Sequence, residues 1–134
     1  MIRGVDTNVL IYALDSGAGW KHERAVEVVE KILKSPENYR ISAQVLAETL
    51  YVVKRKNPSA TPLAQLLILS LSKRVPIVYY THAEVLQASG SPKRYFWDRL
   101  LAYTYLNNGV EVIVTEDGRP YRGVLRVENP FKEP

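Results

Sequence analysis

The sequence predicts an α/β fold with a mainly parallel sheet of about five strands. Short apolar runs rich in β-branched residues alternate with helix-length amphipathic segments along the whole chain. Helix punctuation falls between them, with Ser, Thr, Asp or Asn at the starts and Pro or Gly at the stops. The length, 134 residues, is near the commonest domain size, and such a chain buries enough surface to fold without staples. A single domain over residues 1–134 is expected.

The elements follow in order. Ile2 to Val5 read as the first strand. Asp6-Thr7-Asn8 then open a helix through Leu14, since all three residue types suit an N-cap. Gly17 and Gly19 break the chain, and His22 to Leu33 place Ala25, Val28, Val29 and Ile32 on one helical face. Ser35-Pro36 stops that helix, and Tyr39 to Ser42 read as the second strand. Ser42 or a neighbour caps a long helix that ends near Asn57-Pro58. Thr61-Pro62 restarts a helix to about Leu71, with proline at a first-turn position where its missing N–H costs little. Pro76 to Tyr80 read as the third strand, and Thr81 and Glu84 have capping-box spacing for a short helix. Ser91-Pro92 opens the next helix and Asn108-Gly109 closes it. Glu111 to Val114 and Gly123 to Val127 read as the last two strands, and Asn129 to Pro134 as a loose tail.

Composition excludes several chemistries. There is no cysteine, so disulfides, thiolate zinc sites and cysteine nucleophiles are ruled out. The only imidazoles, His22 and His82, have no partner at metal-ligand spacing. No apolar run approaches the roughly 20 residues of a membrane helix, and the N-terminus lacks a signal-peptide pattern. A cytoplasmic protein with no membrane partner is the expectation. The net charge is +4, with basic clusters at Lys54-Arg55-Lys56 and Lys73-Arg74, at Lys93-Arg94, and at Arg119, Arg122 and Arg126. Basic surface around acidic residues suits a phosphate backbone, although it also serves plain solubility.

Four carboxylates stand out: Asp6, Glu48, Asp98 and Asp117. Asp6 and Asp117 fall just past expected strands, where open α/β sheets bind ligands. Glu48 and Asp98 lie in apolar helical segments that would have to flank the same mouth. Singly, each has an ordinary explanation. Asp6 caps a helix, Glu48 faces water, Asp98 pairs with Arg94, and Asp117 starts a turn before Gly118. Asp98 is the most telling, because Asp is costly in a helix interior. Gathered together, four like charges call for a hard divalent cation, and oxygen-only ligation selects Mg²⁺ or Mn²⁺. Asn8 and Thr115 are the expected supporting polar groups, Asn8 on a ligating carboxylate and Thr115 orienting Asp117 or a bound water.

On these residues the chain resembles the PIN-domain nucleases, and within them the VapC-like ribonuclease toxins of toxin–antitoxin pairs. Asp6-Thr7-Asn8-Val9-Leu10-Ile11-Tyr12-Ala13-Leu14-Asp15 is similar to the opening motif, and Ser42-Ala43-Gln44-Val45-Leu46-Ala47-Glu48 to the second. Phe96-Trp97-Asp98 and Thr115-Glu116-Asp117 are similar to the third and fourth. The resemblance implies a PIN-like three-layer α/β/α fold and metal-dependent endonucleolytic cleavage of RNA. It further implies Asp6, Glu48, Asp98 and Asp117 as metal-binding catalytic acids, a homodimer, and a small antitoxin as partner. The chain departs from the family at Arg99, Tyr103 and Tyr105, where relatives often carry small residues, and at Gly118, where an aromatic is common. Two other classes fit the same features: a PIN nuclease of RNA maturation or decay, and a non-catalytic RNA-binding module of the same fold. An aspartyl phosphotransfer fold fits poorly, because position 8 is Asn where such enzymes usually need a second Asp. The tyrosines at positions 12, 51, 103 and 105 fall at helical spacings suited to core or dimer contact, and read as packing rather than base-stacking residues.

Overall fold

A computed structural model describes residues 1–132; the last two residues of the expected domain, Glu133 and Pro134, lie outside the described residues. Five strands form one sheet: β1 (Arg3–Val5), β2 (Tyr39–Ser42), β3 (Ile77–Val78), β4 (Val112–Val114) and β5 (Arg126–Glu128). Their order is β3-β2-β1-β4-β5 and every pair is parallel. The register sets Arg3 beside Tyr39 and Val112, and Val112 beside Arg126. Six α-helices make the crossovers: α1 (Thr7–Leu14), α2 (Trp20–Lys34), α3 (Ala43–Lys56), α4 (Thr61–Arg74), α5 (His82–Ala88) and α6 (Phe96–Asn107). The steps β1→β2→β3 move one way along the sheet, and the step β3→β4 returns. Right-handed crossovers therefore send α1 to α4 to one face and α5 and α6 to the other. Packing agrees, with α1 against α2 and α3, α3 against α4, and α5 against α6. The result is the expected α/β/α sandwich. Its core joins Val5, Ile41, Ile113 and Val114 of the sheet to Val9, Leu10 and Ile32 on one side and Leu101 and Tyr105 on the other.

Local chemistry sets the boundaries. The capping box of α5 is present, with Thr81 and Glu84 closing it. The third strand is shorter than expected, because Tyr79 and Tyr80 turn out to solvent at the sheet edge. The fifth begins later, at Arg126, because Tyr121 to Leu125 fold into a turn with Gly123 at φ 86°. The helix carrying Asp98 starts at Phe96 rather than at Ser91-Pro92. Pro92 is extended (ψ 146°), and a 3₁₀ turn over Lys93–Tyr95 intervenes. The tail is anchored as far as it is described: Phe131 is buried and packs edge-on against Tyr12, with ring centroids 4.9 Å apart. Among the described residues no helix is long and apolar enough to cross a membrane.

Tyr105 is one of the departures noted above, and the fold makes room for it. Its ring lies on Gly4 so closely that a Cβ there would meet the ring at 2.8 Å. Its hydroxyl accepts from the N–H groups of Val5 (3.2 Å) and Ser42 (3.1 Å) and donates to the Val5 carbonyl (2.5 Å). Burial keeps the phenol protonated, far above its ordinary pKa. The hydroxyl thus stitches β1 to β2 just where both strands end, one residue before Asp6 and before α3. Gly4→Ala is expected to cost about 1–3 kcal/mol by overpacking. Tyr105→Leu should relieve part of that clash, so a double-mutant cycle in urea should give a combined penalty smaller than the sum of the two singles. Additive penalties would contradict the contact.

Candidate functional site

The sheet order reverses between β1 and β4, since β1 leads to β2 on one side and β4 pairs with β1 on the other. That switch point opens a crevice beyond the strand ends. Asp6 follows β1, and Thr115, Glu116 and Asp117 follow β4. The Asp6 N–H donates to the Val114 carbonyl at 3.1 Å and fixes the two strand ends together. Ser42 at the end of β2 caps α3, which carries Glu48 in its second turn. Asp98 lies in the first turn of α6, not in a helix interior, so an acid there is favoured by the helix dipole. It makes no ion pair with Arg94, whose guanidinium instead covers the Tyr95 ring at 4.9 Å.

Each acid is held differently. Asp6 is the most constrained. Its Oδ1 accepts from the Thr7 N–H (2.7 Å) as the N-cap of α1. Its Oδ2 accepts from Thr115 Oγ1 (2.8 Å) and Tyr121 Oη (2.9 Å), with Asn8 Nδ2 further off at 3.5 Å. Glu48 accepts from Thr7 Oγ1 (3.0 Å) on one oxygen and from Gln44 Nε2 (2.9 Å) on the other. Asp98 has only the Tyr121 hydroxyl, at 3.4 Å.

The electrostatics follow from this unequal support. Burial pushes Asp6 upward against the pull of its donors. Asp98 is pushed to about 6, first by burial and then by the charges of Asp6 and Glu48. Burial and the charges of Asp6 and Asp98 hold the Tyr121 phenol far above its ordinary value, so it remains a donor. A single phenolic proton cannot serve two carboxylates. It goes to Asp6, and Asp98 completes the chain best when it carries a proton of its own and donates to Tyr121.

Asp117 stands apart. Its carboxylate is half exposed and paired in a two-bond fork with Arg119, both contacts at 2.9 Å. That guanidinium holds it below the usual range. Its charge still reaches Asp98, though more weakly than those of Asp6 and Glu48. So Asp6, Glu48 and Asp98 share one mouth, with Asp117 on its rim. The supporting residues also shift roles. Asn8 links the two loops, donating to Thr115 Oγ1 (3.0 Å) and accepting from the Glu116 N–H (3.2 Å). Thr115 serves the carboxylate of Asp6, and meets Asp117 through its backbone, accepting from the N–H at 3.3 Å, rather than through its carboxylate. Glu116 turns the other way, to Tyr12 (2.6 Å) and Lys21.

Three residues escaped the sequence reading. Thr7 was taken only as a cap-compatible residue, yet its hydroxyl holds Glu48. Gln44 lies four residues before Glu48, a spacing that places the two side chains on one helical face. Tyr121 has no such local signal. It reaches the site because Gly118 begins a 3₁₀ turn over Arg119–Tyr121, a turn tied to α6 by the bond from Arg99 to the Pro120 carbonyl. Gly118 is needed for space, since a Cβ there would meet Val127 at 2.6 Å. The aromatic missing at position 118 is replaced by one three residues later.

The donor set is carboxylate and hydroxyl oxygen throughout, which suits a hard cation of the Mg²⁺ or Mn²⁺ type. Among the described residues no three acids already close on one point. The Tyr121 hydroxyl stands between Asp6 and Asp98.

A family model described as PIN domain matches residues 5–124. The chain is similar in structure to VapC20 of Mycobacterium tuberculosis, described as a Sarcin-Ricin loop cleaving toxin. The TM-score is 0.70 at 20% identity, covering 93% of this chain and 98% of that one. It is similar to DNA-bound VapBC from Salmonella typhimurium (TM-score 0.67, 18% identity, 97% and 98% covered). It is also similar to a toxin-antitoxin complex from Klebsiella pneumoniae (TM-score 0.70, 18% identity, 98% and 99% covered). At these identities the likeness is one of fold. No curated protein matches the sequence.

Because Asp98 binds its proton more tightly folded than unfolded, it adds stability below about pH 4 and loses it as pH rises through about 6. Asp98→Asn should therefore raise metal-free stability at pH 7.5 by about 1 kcal/mol, allowing for solvent screening. The gain should vanish below pH 4. Thermal melts in EDTA across that range check both the sign and the window.

Proposed function

We propose, from the premise that this chain belongs to the PIN-domain family, that it is a metal-dependent endoribonuclease acting as the toxin of a toxin–antitoxin pair. One observation carries the reading. Acids from separate segments after β1, in α3 and in α6 face one mouth at the topological switch point, with a fourth acid on its rim. Asp6, Glu48 and Asp98 would hold a Mg²⁺ or Mn²⁺ ion, with Asp117 contributing from the rim. When bound, such an ion lowers the pKa of a water and offsets charge on a phosphodiester.

The chain's own residues do the rest. Thr7, Thr115, Tyr121 and Gln44 fix the orientation of Asp6 and Glu48 in advance, so little reorganisation remains when a cation arrives. Asp98 would join them as the carboxylate, the form that dominates above about pH 6. Beside Asp117, a depression of about 380 Å³ is lined by Arg119, Arg122 and Lys132. Those cations suit the flanking phosphates of a strand whose scissile bond lies over the acids. The antitoxin part of the reading draws on the toxin and toxin–antitoxin relatives in fold. It also draws on α4, whose Leu63, Leu66 and Leu69 stand exposed and invite a protein partner. A homodimer is proposed on the family resemblance.

Purified protein should cut RNA with Mn²⁺ and stop in excess EDTA. Asp6→Asn and Asp98→Asn should abolish cleavage with the fold intact, whereas Tyr121→Phe should slow it by about 10–100-fold. Gel assays with each variant, alongside circular dichroism, decide the matter. Cleavage unchanged in EDTA or in Asp6→Asn would discard the mechanism.

A further inference from the structure

Next to the acids lies a cavity of about 660 Å³ lined by Ala43, Gln44, Ala47, Glu48, Tyr51, Tyr80 and Trp97. Its three aromatic side chains are unusually exposed: Tyr51 66%, Tyr80 45% and Trp97 59%. A surface tryptophan at that exposure leaves much apolar area in water, which rarely stands without a binding purpose. We propose that this cavity is a nucleobase-stacking subsite, which takes one unpaired base adjoining the scissile phosphate and so selects single-stranded or looped RNA.

Four observations support it. The cavity shares Glu48 with the acid mouth, so a base held there leaves its phosphate over the carboxylates. Trp97 immediately precedes Asp98 in the first turn of α6, so ring and acid are fixed on one rigid element. The Gln44 amide donates to both Glu48 (2.9 Å) and the Trp97 carbonyl (3.1 Å), which locks the cavity wall to the acid. A cation flanks the aromatics, with the Arg55 guanidinium over the Tyr51 ring at 5.7 Å. A polyanion with flat, unstacked bases matches this combination of exposed rings and a guanidinium group. A wholly apolar protein segment would match the rings but not the cation beside them. Tyr51, whose spacing suits core or dimer contact, does not lie in the core of this chain, because its ring is mostly in solvent.

The inference relies on the nuclease reading for the position of the phosphate, and the test separates the two. The chain has two tryptophans, so Trp20→Phe leaves Trp97 as the only indole reporter. The probe is a short single-stranded 2′-O-methyl RNA oligonucleotide in EDTA, compared with an abasic strand of the same length. The base-bearing strand should quench Trp97 and the abasic strand should not. Trp97→Ala should weaken binding by about 5- to 100-fold, Tyr51→Ala should weaken it as well, and Trp97→Phe should keep most of the affinity. Equal binding of both strands, or unchanged affinity in Trp97→Ala, overturns the subsite. So does an indole that responds only to self-association or to a polypeptide partner. Quenching without Mn²⁺-dependent cleavage by the wild-type chain would retain the subsite and sink the nuclease. Cleavage without quenching would do the reverse.

Discussion

The structure depends on keeping like charges together at one mouth without letting them drive it open. Two carboxylates about 5 Å apart repel by roughly 3 kcal/mol at an effective dielectric of about 20. A hydrogen bond to a charged group returns about 1.5–3 kcal/mol. Asp6, with donors at 2.7, 2.8 and 2.9 Å, is held in place by three hydrogen bonds, and Glu48 by two. Asp98, with one shared, long contact, is the least supported. Its upward shift to about 6 comes first from burial and then from the charges of Asp6 and Glu48, neither of which the protein fully offsets.

The rest of the fold can be read as support for that arrangement. Tyr105 joins the ends of β1 and β2 and so fixes the distance between Asp6 and the start of α3. Asn8 and Thr115 join α1 to the loop after β4. The bond from Arg99 to the Pro120 carbonyl carries Tyr121 to the point where Asp6 and Asp98 face each other. Two glycines make these approaches possible by lacking a side chain. Gly4 admits the Tyr105 ring, and Gly118 lies flat on Val127.

Sequence pattern captured what local chemistry determines. The alternating strands and helices, the Ser42 cap, the Thr81 capping box and the C-terminal ends of β1 and β4 were all legible, because each is a short-range rule. The start of the helix bearing Asp98 was not, since Pro92 suits either a first turn or an extended approach and the 3₁₀ turn after it has no sequence mark. Among site residues, the acids announced themselves by their setting after strands and in apolar helices. Tyr121 did not, because its role needs a turn, a glycine contact and a bond from α6 to coincide in space. The Thr115 hydroxyl was expected to serve Asp117, its neighbour in sequence, and instead serves Asp6, its neighbour across the strand pair.

The fourth acid shows why nearness in a motif is not equivalence in a site. Asp6 and Glu48 are held by bonds from inside the protein, whereas Asp117 is half exposed and held by Arg119, itself mostly in water. An exposed ion pair of that kind is worth about 0–1 kcal/mol. A phosphate offers the same planar, two-bonded partner to a guanidinium, with at least as much charge. A strand arriving over Arg119 and Arg122 can therefore take the arginine from Asp117 at little cost, and an aspartate released in this way carries a full charge at the rim. On the proposed reading the interior acids would be set before any ligand binds, and the outer one would be freed when a polyanion occupies the basic depression beside it.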